Sequence, residues 1–361
     1  MKKFLSLVVI LVLAAVARAQ KITVVDGNGN GIPYAMVLAP SGEHLGITNL
    51  EGVLDNLKGA EAVTISHVAF KSKDVKLSGG GDTVITLEDT DFSLDEIVIS
   101  PKPLVYVQTF YRVFFYDNKH GIVYYRAGLT DNAYDRKKNK VTASTKHMAT
   151  GFKGIVTNII NIALGWGFDR RSEIRSGKRE ERLVEKNKEI QLKITPTSPT
   201  SWQVSDFKGT VGTITDDKST GWRHFAINSR LISLHKLEAK GKKKELKKRQ
   251  EYASKAGNEV RSESLIYHID EDGNYTPEDF VMEEFHDTFD TEFDEDTLHC
   301  IIGYQLFSTD RAYVTKDELK QRQKANEMKM NYNNIRQFEK QNNIPELPSI
   351  IEQAIGKLVN K

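Results

Sequence analysis

Val105-Tyr106-Val107-Gln108-Thr109-Phe110-Tyr111-Arg112-Val113-Phe114-Phe115-Tyr116, followed by Gly121 to Gly128, is the most aromatic part of the chain and decides its fold class. Tyr, Phe and Val suit a pleated surface, so strands are expected here. Tyr111, Phe115 and Tyr124 are candidates for an apolar face that takes lipid, glycan or peptide; the competing reading makes them sheet core and rim. Ile190 to Thr195, Trp202 to Phe207, Gly209 to Thr215 and Arg223 to Ile227 continue a β pattern. They are expected to share a domain with the aromatic strands. Ser229 is a candidate cap for a helix through Leu231, Leu234 and Leu237, which Gly241 weakens.

Upstream, Pro101-Lys102-Pro103 interrupts hydrogen-bonded structure and marks a boundary. Residues 22 to 100 alternate short β-rich segments with turn chemistry, as in Ile22 to Val25, the Asp26-to-Gly31 turn, and Met36 to Ala39. Leu45 to Thr48, Val53-Leu54, Val63 to Ser66, Asp74 to Leu77 and Thr83 to Leu87 repeat the pattern. Such spacing predicts an Ig-like β-sandwich. The whole chain is then mainly β with additional helices: an N-terminal sandwich plus a larger β-rich α+β domain. The expected divisions are 1–19, 20–100, 101–310 and a C-terminal helical segment at 311–361.

Val25-Asp26, Gly31-Ile32-Pro33-Tyr34-Ala35-Met36-Val37 and Gly46-Ile47-Thr48-Asn49-Leu50-Glu51-Gly52-Val53 run in order. Val63 to Phe70 and Leu94-Asp95-Glu96-Ile97-Val98-Ile99 complete the set. In this, residues 22–100 resemble the carboxypeptidase regulatory-like family, a transthyretin-like sandwich of exported Bacteroidota-type proteins. Asn49 stands where the family usually has Asp and can make the same turn bond; Ala69 replaces a usual Gly. The resemblance implies a scaffold or interaction module without catalysis. The rest of the chain resembles uncharacterised exported proteins of the same kind, a likeness that assigns no chemistry.

The first residues set the expected location. Lys2 and Lys3, the apolar run Phe4 to Val16 and Ala17-Arg18-Ala19 read as a secretory signal peptide at 1–19, cleaved before Gln20. Removing 19 of 361 residues leaves 342, with 48 basic side chains against 49 acidic ones. The basic balance of the full chain therefore belongs to the signal, and nucleic acid is not an expected partner. The only cysteine, Cys300, lies far from the cleavage point, so a lipoprotein is not expected. Without a second cysteine it has no intramolecular disulfide partner.

Phe152 to Leu164 shows helical periodicity, with Ile155 and Ile159 on its apolar side and Trp166 and Phe168 beyond. It is too short to span a bilayer. It reads as a buried helix or as a docking element for a partner or membrane face. Basic residues dominate Lys236 to Lys255, whereas 270–296 holds thirteen acidic side chains and no Lys or Arg. These read as solvated faces, as mutually paired regions, or as a surface turned to an acidic membrane or charged partner.

Asp270-Glu271-Asp272-Gly273-Asn274 invites a calcium reading through Asp270, Asp272 and Asp279. The loop is incomplete, because His268 holds its first position and Asp279 its twelfth. Glu283, Glu284, His286, Asp287 and Asp290 are candidates for paired-carboxylate hydrolysis. Phe285, Phe289 and Phe293 suggest instead an amphipathic helix with solvated acids. Neither a His-Glu-x-x-His motif, a Gly-x-Ser-x-Gly elbow nor a phosphate loop occurs. Thr315 and Glu318 form a capping box ahead of a polar helix to Gln341. Ser349 precedes a terminal helix with an Ile350-to-Val359 apolar stripe, expected to pack on the sheet.

Together these features point to an exported, non-enzymatic adaptor of the cell envelope, periplasmic or outer-membrane associated, with an envelope protein as partner and no cofactor. A lipid-binding or lipid-transfer module and an envelope glycan or peptide hydrolase are the alternatives.

Overall fold

The computed structural model describes residues 20–55, 57, 59–77, 81–93, 100–117, 119–152, 172–247, 261–293, 296–325 and 332–359. Strands make up 48% of the chain and helices 21%, so the fold is mainly β with added helices. The chain divides into two compact units, Met1–Thr90 with Glu346–Ile350 and Asp91–Pro345 with Ile351–Lys361. Among the described residues no helix is long and apolar enough to cross a membrane.

The smaller unit carries seven short strands: β1 (Lys21–Val25), β2 (Met36–Leu38), β3 (His44–Ile47), β4 (Val53–Asp55), β5 (Ala62–His67), β6 (Phe70–Lys76) and β7 (Thr83–Thr86). They form two sheets, of order β4-β1-β7 and β3-β2-β5-β6. Alternation buries Ile85 and Leu87 and leaves Val84 outside. Turn chemistry sets the corners. Asp26 Oδ1 accepts from the Asn28 and Asn30 amides, both at 2.8 Å. Asn49 Oδ1 accepts from Glu51 N and Val53 N at 3.1 and 2.8 Å, making the turn bond expected of it. Gly52, at φ +76°, is required there: a Cβ would lie 2.4 Å from Val24 O. The segment Leu94 to Ile99 lies outside the described residues.

The larger unit is built on one ten-stranded antiparallel sheet. Its strands are β8 (Leu104–Asp117), β9 (Gly121–Asp135), β10 (Lys140–Phe152), β11 (Lys193–Ser198), β12 (Ser201–Ser205), β13 (Thr210–Asp217), β14 (Trp222–Asn228), β15 (Arg261–His268), β16 (Phe280–Phe293) and β17 (Asp296–Val314). The order β10-β9-β8-β17-β16-β15-β14-β13-β12-β11 joins two meanders where β8 pairs with β17. One structural device recurs at the hairpins. Asp117, Asp135, Asp206, Asp217 and Asp270 each end a strand or open a turn and accept backbone N–H bonds from two to four residues ahead. Many acidic residues are therefore turn closers.

Strand β8 is buried on both faces, which is why its sequence runs apolar almost without alternation. Val105, Val107, Tyr111, Val113 and Phe115 face one core, with β17's Leu306, Tyr304 and Ile302 beside the last three. Tyr106, Phe110, Arg112 and Phe114 take the opposite face, where the phenyl ring of Phe338 packs 5.5 Å from that of Phe110. Close approach fixes Gly303, since a Cβ there would meet Cζ of Phe114 at 2.2 Å.

The helices with both ends described are α1 (Arg179–Glu185), α2 (Ser229–Ala239), α3 (Lys316–Ala325), α4 (Tyr332–Gln341) and α5 (Ser349–Val359). The Thr315–Glu318 capping box is present, with Glu318 Oε2 2.7 Å from Thr315 N and Thr315 Oγ1 3.3 Å from Glu318 N. On α5, Ile351 and Ile355 are buried, and a Cβ at Gly151 of β10 would meet Val359 and Leu358. This stripe packs against the sheet.

Several local expectations fail for physical reasons. Phe285, Phe289 and Phe293 lie in β16, not on a helix, because pairing with both β15 and β17 overrides their helical spacing. The strand expected at Ile190 to Thr195 runs instead from Lys193 to Ser198 and takes in Pro196; β11 ends the sheet, so the missing N–H breaks no ladder on its outer side. Lys188–Ile190 forms a single 3-10 turn before that strand. Asn228, not Ser229, caps α2, its Oδ1 accepting from Leu231 N at 3.0 Å. Phe152 closes β10 opposite Tyr124 and does not start a helix. Arg179–Glu185 is helical although its charged sequence shows no apolar stripe.

Candidate functional site

The three aromatic candidates are core residues. Tyr111, Phe115 and Tyr124 are buried in the same cluster as Phe285, Tyr304 and Leu306. Their strands, β8 and β9, are buried on both faces over almost their whole length. Ile155, Ile159, Trp166 and Phe168 lie outside the described residues.

The acidic candidates are separated by strand alternation. Register places Glu283 opposite Leu265 and Leu306, and Asp287 opposite Arg261, on one face of the sheet. Glu284 and His286 point to the other. No acid–base pair forms between Glu283 and His286, since the backbone of β16 lies between their side chains. Glu284 Oε1 accepts from Gln305 Nε2 at 2.5 Å and lies 3.5 Å from His286 Nε2. Arg261 Nε donates to Asp287 Oδ2 at 2.9 Å. The side chain of Asp290 lies outside the described residues.

The calcium candidates are likewise committed to backbone. Asp270 Oδ1 accepts from Asn274 N at 2.6 Å, and that bond holds its carboxyl below the usual carboxylate range. Asp279 Oδ2 accepts from Thr276 N at 2.8 Å and Thr276 Oγ1 at 2.9 Å, closing a capping box. Asp272 is exposed in the same turn. Among the described residues no three His, Cys, Asp or Glu side chains converge to hold a metal ion.

A pocket does form where the segment 172–192 crosses the sheet. Its start is pinned by a polar ladder: Thr109 Oγ1 donates to Ser172 O at 2.9 Å, and Ile174 N to Asn132 Oδ1 at 3.1 Å. Arg175, Arg179 and Arg182 then converge above Leu265, Tyr267, Phe280 and Glu283. The cavity is about 10 Å³, close to the room one water needs.

The charges there are largely answered from within. Arg179 pairs with Glu263, and its backbone N–H donates to Tyr275 Oη at 2.8 Å. Arg182 donates to the carbonyls of Ser176 and Gly177. Glu283, 7% exposed, raises the pKa of Arg175 by its charge, while burial pushes the Tyr267 phenol up. Burial, followed by repulsion from Arg175, lowers the Lys186 ammonium. Beside the pocket, Arg223 grips Asp216 with bonds of 2.6 and 2.8 Å and reaches Glu180 at 3.1 Å. Guanidinium forks used this way brace a crossing segment against a sheet.

A second buried network lies on the opposite face. Arg112 donates through Nε to Gln305 Oε1, through Nη1 to Glu339 Oε1 and through Nη2 to Pro345 O, at 2.7, 2.7 and 2.6 Å. It ties β8 to α4. Neither arginine system was among the sequence candidates. The spacing Arg175, Arg179, Arg182 was the available signal for the first, and a lone Arg inside an aromatic strand for the second.

The chain matches no family model and no curated protein.

Proposed function

We propose that this chain is a non-enzymatic structural or adaptor protein of the bacterial cell envelope. It is exported behind its first nineteen residues, works in the periplasm or at the outer membrane, and holds an envelope protein. The two small sheets in one compact unit support the reading of residues 20–100 as a transthyretin-like interaction sandwich of the carboxypeptidase regulatory-like type.

One observation carries the adaptor role. Strand β10 ends the ten-stranded sheet, and among the described residues no strand pairs with its outer edge. The opposite end is blunted by Pro196 and by a register shift between Pro196 and Ser198. Over Lys140–Lys146 the β10 edge has neither, and it carries the small side chains Thr142, Ala143, Ser144 and Thr145. Such an edge accepts an extended segment of a partner through backbone bonds. Tyr111, Phe115 and Tyr124 are buried, which removes the aromatic strands from the support for the lipid-carrier alternative; its other support, the segment with Ile155, Ile159, Trp166 and Phe168, lies outside the described residues.

The test is affinity purification of the mature chain from its native envelope after gentle crosslinking. A reproducible protein partner is expected. Recovery of the chain alone, or with bound lipid only, would overturn the adaptor function.

A further inference from the structure

Phe207 is 45% exposed and Val84 is 68% exposed; they are the exposed large apolar side chains among the described residues. The two have different surroundings. The Phe207 ring lies 5.9 Å from the ring of His235 on α2, with Lys208 Nζ 5.8 Å from its centre. Lys208 in turn meets Glu238 Oε1 at 2.6 Å, so ring and ammonium are both fixed on the outer side of α2.

The same helix end is strongly basic. Lys236 and Lys240 share Glu189 at 3.5 and 3.4 Å. Gly241, at φ +66°, then ends the helix; exposed Lys242 follows, and the exposed Lys243, Lys244 and Lys247 lie on a helical turn that starts at 243. Lys242 reaches Glu245 at 3.9 Å, a pairing worth little in water. Lys243 and Lys244 form no ion pair with any described residue. Acidic groups in the neighbourhood are Glu189, Glu238, Glu245 and Asp206, the last bonded to His235 Nδ1 at 2.5 Å. Lys242, Lys243, Lys244 and Lys247 are all exposed there.

We propose that this end of α2 docks the protein onto an anionic phospholipid membrane. Lysine is a point charge without the planar fork that reads phosphate or base edges bidentately, so a diffuse array of headgroups suits it. Long lysine stems allow the ammonium groups to stay at headgroup level while an adjacent ring enters the acyl boundary. Phe207 is the ring placed to do so. Each lysine near an anionic surface adds an attraction that salt screens. The patch lies away from the β10 edge in the sheet order, so membrane docking and partner capture use different surfaces.

The experiment is vesicle co-sedimentation of the mature chain. One set of vesicles is phosphatidylcholine alone, and the other contains about one third phosphatidylglycerol. Binding is expected only to the anionic set, weakening as sodium chloride is raised. K242E/K243E/K244E should lower the partition coefficient at least about tenfold. Phe207→Ser should lower it several-fold and leave a residue of binding that salt removes fully. All these side chains are exposed, and unchanged circular dichroism and urea midpoints will confirm folding of the variants. Equal binding to both vesicle types, or anionic binding that the triple variant retains, would overturn the proposal. So would equally tight binding of short duplex DNA at the same salt, which marks a general polyanion surface.

Discussion

Replacing Arg112 by Met keeps most of the side-chain stem and removes all three donors that bind β8 to Gln305, Glu339 and Pro345. Arg112 is 1% exposed, so water cannot take their place. Removing one member of a buried pair costs about 3–5 kcal/mol. Arg336 also donates to Glu339, at 2.6 Å, and offsets part of the orphaned charge. The lower end, about 3 kcal/mol, is therefore expected; at about 2–4 °C per kcal/mol for a unit of this size, Tm falls by about 6–12 °C. Urea unfolding followed by circular dichroism gives the loss directly. The cycle with Glu339→Gln separates the pair from the stem: R112M/E339Q should be less destabilised than the sum of the single variants by about 1–3 kcal/mol. A loss below about 1 kcal/mol for Arg112→Met, or an additive cycle, would refute the view that this guanidinium clamps α4 to the sheet.

Other expectations follow from the same physics. Gly303→Ala forces a methyl into the Phe114 ring and should cost about 1–3 kcal/mol; G303A/F114L should recover part of it, measured by the same unfolding curves. The Glu278 carboxyl is buried, and burial raises its pKa although Arg136 opposes the shift. A raised carboxylate pKa means that the folded state binds the proton more tightly. Its favourable contribution is complete below the ordinary glutamate range and is lost as pH rises through the raised value. Glu278→Gln should flatten this pH dependence of stability from acid to neutral pH; an unchanged slope would show that another group is responsible.

The continuous apolar run at Val105 to Tyr116 revealed the central strands because a strand covered on both faces needs no polar side. The same property hid their role, since sequence gives Tyr111 and Phe115 equal fitness for groove and core. Short strands in residues 22–87 were readable from turns, where Asp26, Asn49 and Gly52 act locally. Phe285, Phe289 and Phe293 misled, because spacing by four residues puts side chains on one side of a helix and also on one face of a strand. Only pairing with β15 and β17 decides between them. Arg175, Arg179 and Arg182 gain their meaning from a segment folded back over distant strands, which no local pattern announces. The sorting of the acidic candidates is the simplest case: once the segment is a strand, alternation puts Glu283 and Asp287 on one face and Glu284 and His286 on the other.

The most direct measurement is site-specific photocrosslinking in the intact envelope. A photoreactive residue at Ser144, exposed on the terminal strand β10, is compared with one at Ser219, exposed in the turn between β13 and β14. Capture of one discrete partner from position 144 and none from 219 is the expected result. Equal capture from both positions, or none from 144 while the purified chain turns over a wall-derived glycan or peptide, would contradict it.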